Sequence, residues 1–307
     1  MTYFGRVTCL LVCAVFSFQA NADCVAVASD LTYEDDAAYD GFLLGEGGCL
    51  YDPKLHNIDN VPPVFPDGEI KTSVAGAFIN GMGNTASMQL TNLKILANST
   101  GRPMVGIRNA ARAGFGEITE MAPLSAPVLT AADNIMHRIN EKKRIRIWSS
   151  SQGTFYAARS VTLAKLRIGL FNGRRAKLDL IEMITTGGAA KFWPNGPRYV
   201  HYVNKQDMVP QLIGPSSLFA KPGRGAVFVD FDYLNEDPAD GCADRVFDPS
   251  KGSSSGVMGA VSKVIGKILV LNAHEVCVHA PFFEDFDELR SFAKKRRAVR
   301  VDVPLSN

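Results

Sequence analysis

Three consecutive serines, Ser149, Ser150 and Ser151, sit inside "RIRIWSSSQGTFYAAR" (144–159). A serine hydroxyl can attack an ester or amide carbonyl if a base takes its proton and a carboxylate orients that base. The flanks place these serines on a turn. Ile145 and Ile147 alternate with Arg144 and Arg146, the pattern of a short strand. "TFYAARSVTLAKL" spaces its apolar residues three to four apart, the pattern of a helix. A tight strand-to-helix turn that exposes a serine needs small residues two positions before and two after it, where helix and strand come together. Ser149 has Ile147 and Ser151 at those positions, and Ser150 has Trp148 and Gln152. Ser151 has Ser149 and Gly153, and it alone meets the requirement.

"SSSQG" in this strand–turn–helix setting resembles the nucleophile elbow of the α/β-hydrolase superfamily, within it the lipase and esterase-like members. The resemblance extends to the order of elements from about residue 73 to 292. Ser149 stands where the commonest form of the motif has glycine. The resemblance implies the chain order nucleophile, acid, base. Of the five histidines, His56 and His137 precede Ser151, and His201 lies inside an apolar strand ahead of the candidate acid. His274 and His279 remain, and His279 is preferred because it stands just before the aromatic "PFFEDFDELR". Asp207 closes the strand "RYVHYVNKQD" and precedes "MVP", like the acid loop of lipase-like hydrolases. Asp230 and Asp232, at the end of the next strand, are the runners-up, whereas Asp179 begins a strand and falls at the wrong end of the sheet. "HEVCVH" is not a zinc helix: its histidines are five apart, roughly 140° around a helix of ~3.6 residues per turn.

Acyl transfer builds charge on the carbonyl oxygen, which backbone N–H groups stabilise. One N–H is expected from Gln152, directly after the nucleophile. The second is expected from "FINGMGNTAS" (78–87), where Asn80-Gly81 makes a turn and Gly83 permits close approach. Met82 is the preferred donor and Gly81 the alternative. "GMGNT" lacks the Gly-Lys-Ser/Thr of a phosphate loop, and the reading requires neither metal nor cofactor.

These residues need a scaffold that brings strand tips together. From residue 71 strands and helices alternate: a strand at 73–81, helix 85–100, strand 102–110, helix 126–143, then the serine turn and its helix. Strands follow at 177–188, 198–210 and 225–232. Such alternation predicts an α/β fold with a mostly parallel central sheet and helices on both faces, over residues 71–307. Active residues then lie at the C-terminal ends of the strands. Residues 23–70, rich in Asp, Gly, Pro and Tyr, read as an irregular segment held by a disulfide.

The chain has 307 residues, 46% hydrophobic and 21% charged, which suffices for one large core. A net charge of +2 is too small to point to nucleic acid, and Lys294–Arg297 read as a solvated helix face. Residues 1–22 read as a secretory signal, with Arg6, the apolar "VTCLLVCAVFSF" and a small-residue cleavage site ending at Ala22; a secreted or periplasmic location is expected. Cys24, Cys49, Cys242 and Cys277 then remain. Of the three pairings they allow, the local ones, Cys24–Cys49 and Cys242–Cys277, are expected. Residues 256–273 form an amphipathic pattern that either packs on the sheet or serves as a lid or lipid-interface surface. The resulting expectation is a secreted hydrolase of carboxylic or lipid esters. The alternatives are a binding or structural protein on a hydrolase scaffold without a working triad, and a hydrolase of peptides or cell-wall esters.

Overall fold

A computed structural model describes residues 24–32, 35–110, 124–172, 178–232, 286–291 and 297–303. Among them runs one ten-stranded sheet of order β1-β3-β2-β5-β4-β6-β7-β8-β9-β10. The strands are β1 (Ala26–Val27), β2 (Leu43–Leu44), β3 (Cys49–Tyr51), β4 (Gly76–Ile79), β5 (Met104–Ile107), β6 (Ile145–Ser150), β7 (Ile181–Thr186), β8 (Arg198–Asn204), β9 (Val227–Phe231) and β10 (Val299–Asp302). From β5 to β10 every neighbouring pair is parallel. The first three strands add an antiparallel edge through β2 against β5.

The helices are α1 (Ala86–Thr100), α2 (Ala126–Asn140), α3 (Gly153–Asn172), α4 (Met208–Leu212) and α5 (Phe286–Ser291). Alternation along the strands supplies two apolar faces. Phe78, Trp148, Ile184 and Val200 face Leu93, Leu96 and Ala97 of α1. Ile79, Ile147, Met183 and Tyr199 face the cluster that takes in Val128, Ala131 and Ile135 of α2 and Ala157, Val161 and Ala164 of α3. The expected α/β architecture, with helices on both faces of the sheet, is thus present.

Three expectations change. The N-terminal segment, expected to be irregular, contributes β1, β2 and β3 to the sheet; strands of two or three residues carry no readable period. β10 adds an unexpected parallel edge. Asp179 lies in a single exposed turn before β7, not in the strand itself. Cys24 and Cys49 form the expected disulfide, with Cα atoms 5.6 Å apart. Residues 1–22, Cys242, Cys277 and the amphipathic stretch 256–273 lie outside the described residues.

Candidate active site

The strand order locates a topological switch point. The chain passes from β4 through α1 to β5 on one side, then returns through α2 to β6 on the other side of β4. Loops leaving β4 and β6 therefore diverge at their C-terminal ends, and in open α/β sheets ligands bind at such a switch point. The loop 80–85 and Ser151 occupy that point.

Ser151 has a backbone φ of 51°, in the left-handed region that side chains with a Cβ rarely adopt. Among the described residues, Lys142 and Phe219 share that feature, but both sit in exposed turns. Ser151 is instead half-buried between β6 and α3. Backbone strain of this kind is retained where the surroundings over-determine it, commonly at functional sites. Here the surroundings are specific. The Ser151 N–H donates to the Thr186 carbonyl at 3.1 Å. Its carbonyl accepts from the Thr154 hydroxyl at 2.7 Å and from the N–H groups of Thr154 and Ala189. Gly153 explains the small residue required after the serine: a Cβ there would lie 2.4 Å from the Ile79 carbonyl oxygen and 2.5 Å from that of Asn80. Gly81 backs onto Ser151, since a Cβ on it would lie 2.9 Å from the Ser151 Cβ.

The two N–H groups singled out in the sequence are held through the carbonyls that share their peptide planes. Because a trans peptide is planar, fixing a carbonyl turns the adjoining N–H the opposite way. The Gly81 carbonyl accepts from Asn80 Nδ2 at 2.9 Å and from Asn84 Nδ2 at 3.5 Å. The Met82 N–H is thereby turned away from these asparagines. The Ser151 carbonyl, held as above, turns the Gln152 N–H away from Thr154. Neither N–H has a backbone acceptor among the described residues.

Beneath this pair lies a polar network that the sequence reading missed. Asn80 Oδ1 accepts from the Asn109 N–H at 2.8 Å, and Asn80 Nδ2 donates to the Asn109 carbonyl at 2.7 Å. Asn109 Nδ2 donates to the Asn80 carbonyl at 3.1 Å and to Gln152 Oε1 at 3.0 Å, linking the β4 loop to the serine turn. Arg108, fully buried, pairs with Asp36 through both Nε and Nη2, and donates to the carbonyls of Asn109 at 2.7 Å and Asn84 at 2.5 Å. The available signal was "MVGIRNA": two strongly polar residues directly at the tip of a buried strand.

Asp207 follows the tip of β8, two strands from Ser151. Its carboxylate is 1% exposed and caps α4, Oδ1 accepting from the Val209 N–H at 2.9 Å. Asp230, in β9, has both oxygens 2.6 Å from Arg300 Nη1 of β10. Asp232 lies just beyond the end of β9 and accepts from Gln206. His201 is a buried histidine of β8. Its Nε2–H donates to the Pro222 carbonyl at 2.9 Å, so Nδ1 accepts from the Thr185 hydroxyl at 2.8 Å. Burial holds its pKa down to about 4; the nearby Arg300 charge pushes the same way, against the Pro222 bond. It is a neutral core residue. His274 and His279 lie outside the described residues.

Asp59, His137 and Glu141 bring ligand-type atoms within 4.8 Å of one another. Asp59 is already paired with Arg138 at 2.6 Å and Glu141 with Lys143 at 2.6 Å. The cluster lies by the last turn of α2, at the opposite end of the strands from Ser151.

No family model and no curated protein matches the chain. Among solved structures it is similar to an esterase from Pyrobaculum calidifontis, at 14% identity and a TM-score of 0.31, over 78% of this chain and 68% of that one. An arylesterase aligns at 12% identity and a TM-score of 0.27, over 75% and 67% of the two chains. Aspergillus fumigatus lipase B aligns at 9% identity and a TM-score of 0.27, over 58% of this chain and 44% of its own. Superpositions this loose assign no activity to the chain, whose site rests on its own strand order and geometry.

Proposed function

We propose that the protein is a secreted serine hydrolase of the α/β-hydrolase type that cleaves carboxylic esters, lipid esters among them. The observation that carries this reading is Ser151: a strained, half-buried serine on the strand-to-helix turn at the switch point of a parallel sheet. Its Oγ attacks the ester carbonyl carbon while His279 accepts the hydroxyl proton. The carbonyl oxygen becomes an oxyanion held by the N–H groups of Met82 and Gln152. Collapse breaks the bond to the alcohol, which leaves with the proton from His279, and an acyl-serine remains. Water then attacks the acyl carbon in the same way, the bond to Ser151 Oγ breaks, the carboxylic acid leaves and Ser151 is regenerated. Asp207 orients His279 and stabilises its protonated form. Asp207 is preferred to Asp230 because Arg300 engages both oxygens of the latter. Residues 1–22 direct export.

The test is labelling with a fluorophosphonate followed by peptide mapping, with kinetics on a short-chain nitrophenyl ester. Wild type is expected to carry the label on Ser151. Ser151→Ala, Asp207→Ala and His279→Ala are each expected to lose on the order of 10⁴-fold in kcat. Dead His274→Ala beside active His279→Ala would move the base to His274. Absence of both labelling and esterase activity would overturn the reading in favour of a binding protein on this scaffold.

A further inference from the structure

We propose that Asn109, fixed by the buried Arg108–Asp36 pair, is a positioning residue for the two oxyanion donors. By this route the disulfide-closed N-terminal loop becomes part of the catalytic apparatus. The inference rests on the reading of Ser151 as nucleophile and names residues which that reading does not use.

The two donors belong to different loops, and an oxyanion hole works only if both converge on one point before charge develops. Among the described residues no backbone hydrogen bond joins the loop 80–85 to the turn 151–152. Asn109 supplies it, since its single amide nitrogen donates to the Asn80 carbonyl and to Gln152 Oε1. Asn80, bonded to Asn109 in both directions, also holds the Gly81 carbonyl and so sets the Met82 N–H. Asn109 is in turn held through its carbonyl by Arg108, which reaches around to the Asn84 carbonyl on the far side of the same loop.

Arg108 is fixed by Asp36, and Asp36 Oδ2 also accepts from the Ala86 N–H, the first residue of α1, at 3.2 Å. One carboxylate thus holds the guanidinium beneath the loop and the helix that ends it. Asp36 belongs to the stretch that Cys24–Cys49 closes. Asp36, Asn80, Arg108 and Asn109 are all less than 5% exposed. Buried polar groups cost stability unless fully paired. Here the pairing partners of the buried carbonyls of Asn80 and Asn109 are the same side chains that tie the loop 80–85 to the serine turn.

The variants are Asn109→Asp, Arg108→Lys and Asp36→Asn. The first replaces an N–H₂ donor by oxygen against two acceptors. The second keeps the charge and loses the fork, and the third keeps the shape and loses the charge. Gln152→Met, which removes the Oε1 acceptor of Asn109 together with a buried Nε2 that has no partner among the described residues, serves where a charge variant fails to fold. Active sites are counted with the fluorophosphonate, so kcat is expressed per competent serine, and the affinity of a boronic acid that forms a tetrahedral adduct is measured in parallel. Removing an oxyanion donor outright costs about 10²–10³ in kcat, and displacing one costs less. The expected result is a fall of roughly 10–100-fold in kcat per site, KM within about threefold of wild type, and boronate affinity falling with kcat/KM. A merely structural role would lower the number of competent sites and leave their kcat unchanged. Folded variants with kcat per site within about twofold of wild type would overturn the inference while leaving Ser151 in place. An unlabelled wild type would overturn both together.

Discussion

Both ends of the parallel strands bury a carboxylate against arginine, and the two clusters are built differently. At the N-terminal end Glu182 of β7 lies in register between Arg146 of β6 and Arg198 of β8. Each arginine donates to it at 2.7 Å, and Arg144 stands 3.7 Å away. Every partner is in or beside a strand, and the arginines keep a solvated edge. At the C-terminal end Arg108 is enclosed, and its remaining N–H groups reach loop carbonyls. The pair is chemically the same, but the spare donors decide its role. The donors at Glu182 come from the neighbouring strands and fix register, whereas those left over at Arg108 end on the carbonyls of Asn84 and Asn109.

The contrast is open to direct attack. Glu182→Gln leaves guanidinium groups facing each other with no anion between them. Breaking a buried pair from one side costs about 3–5 kcal/mol. Urea unfolding should show a loss of that size, while kcat per labelled Ser151 stays unchanged. A parallel loss of kcat would mean that the two ends of the sheet are coupled, and the division of roles drawn above would fail.

His201 lies between the two ends, in a row across the sheet formed by Ile79, Ser149, Thr185, His201 and Phe228. Its folded pKa of about 4 lies below the ordinary 6.5, so folding favours the neutral ring. The stability it confers is present above pH 6.5 and is lost as pH falls toward 4, where the folded protein also protonates. Over that window the loss is about 3 kcal/mol. Unfolding of wild type and His201→Gln from pH 7 to pH 4 should show the difference between them shrinking by that amount. Parallel curves would show that His201 titrates normally in the folded chain.

Much of the scaffold was readable because each parallel strand is a short apolar run closed by turn residues. "AGAFING" and "RYVHYVN" announce β4 and β8 without outside help. The serine turn was readable for a steric reason, and the carbonyls of Ile79 and Asn80 against Gly153 supply it. Polar pairing was not readable. Asn80, Asn109 and Gln152 each pass for turn or cap residues, and the bonds that unite them join positions 29 and 43 residues apart. Asp36 and Arg108 are separated by 72 residues, and only the folded sheet makes them neighbours. The edge strands β1–β3 were hidden by brevity. β10 alternates in "VRVD" but follows a run of lysines and arginines that reads as solvent-facing.

The smallest expected effect separates the serines themselves. Ser149 is 1% exposed, and its Oγ has no hydrogen-bond partner among the described residues. It sits within β6, in register with Ile79 and Thr185, and needs no unusual backbone. The hydroxyl is therefore desolvated without return, whereas the backbone of Ser151 carries the strain. Removing an unpaired buried polar group relieves a penalty of about 1–3 kcal/mol, part of which the methyl-sized gap takes back. Ser149→Ala should then raise stability by up to about 1 kcal/mol, with kcat and fluorophosphonate labelling unchanged. Thermal and urea unfolding against wild type measure the first, and active-site titration the second. A dead, folded Ser149→Ala would shift the chemistry away from the strained turn and onto the strand, and the strain at Ser151 would need another explanation.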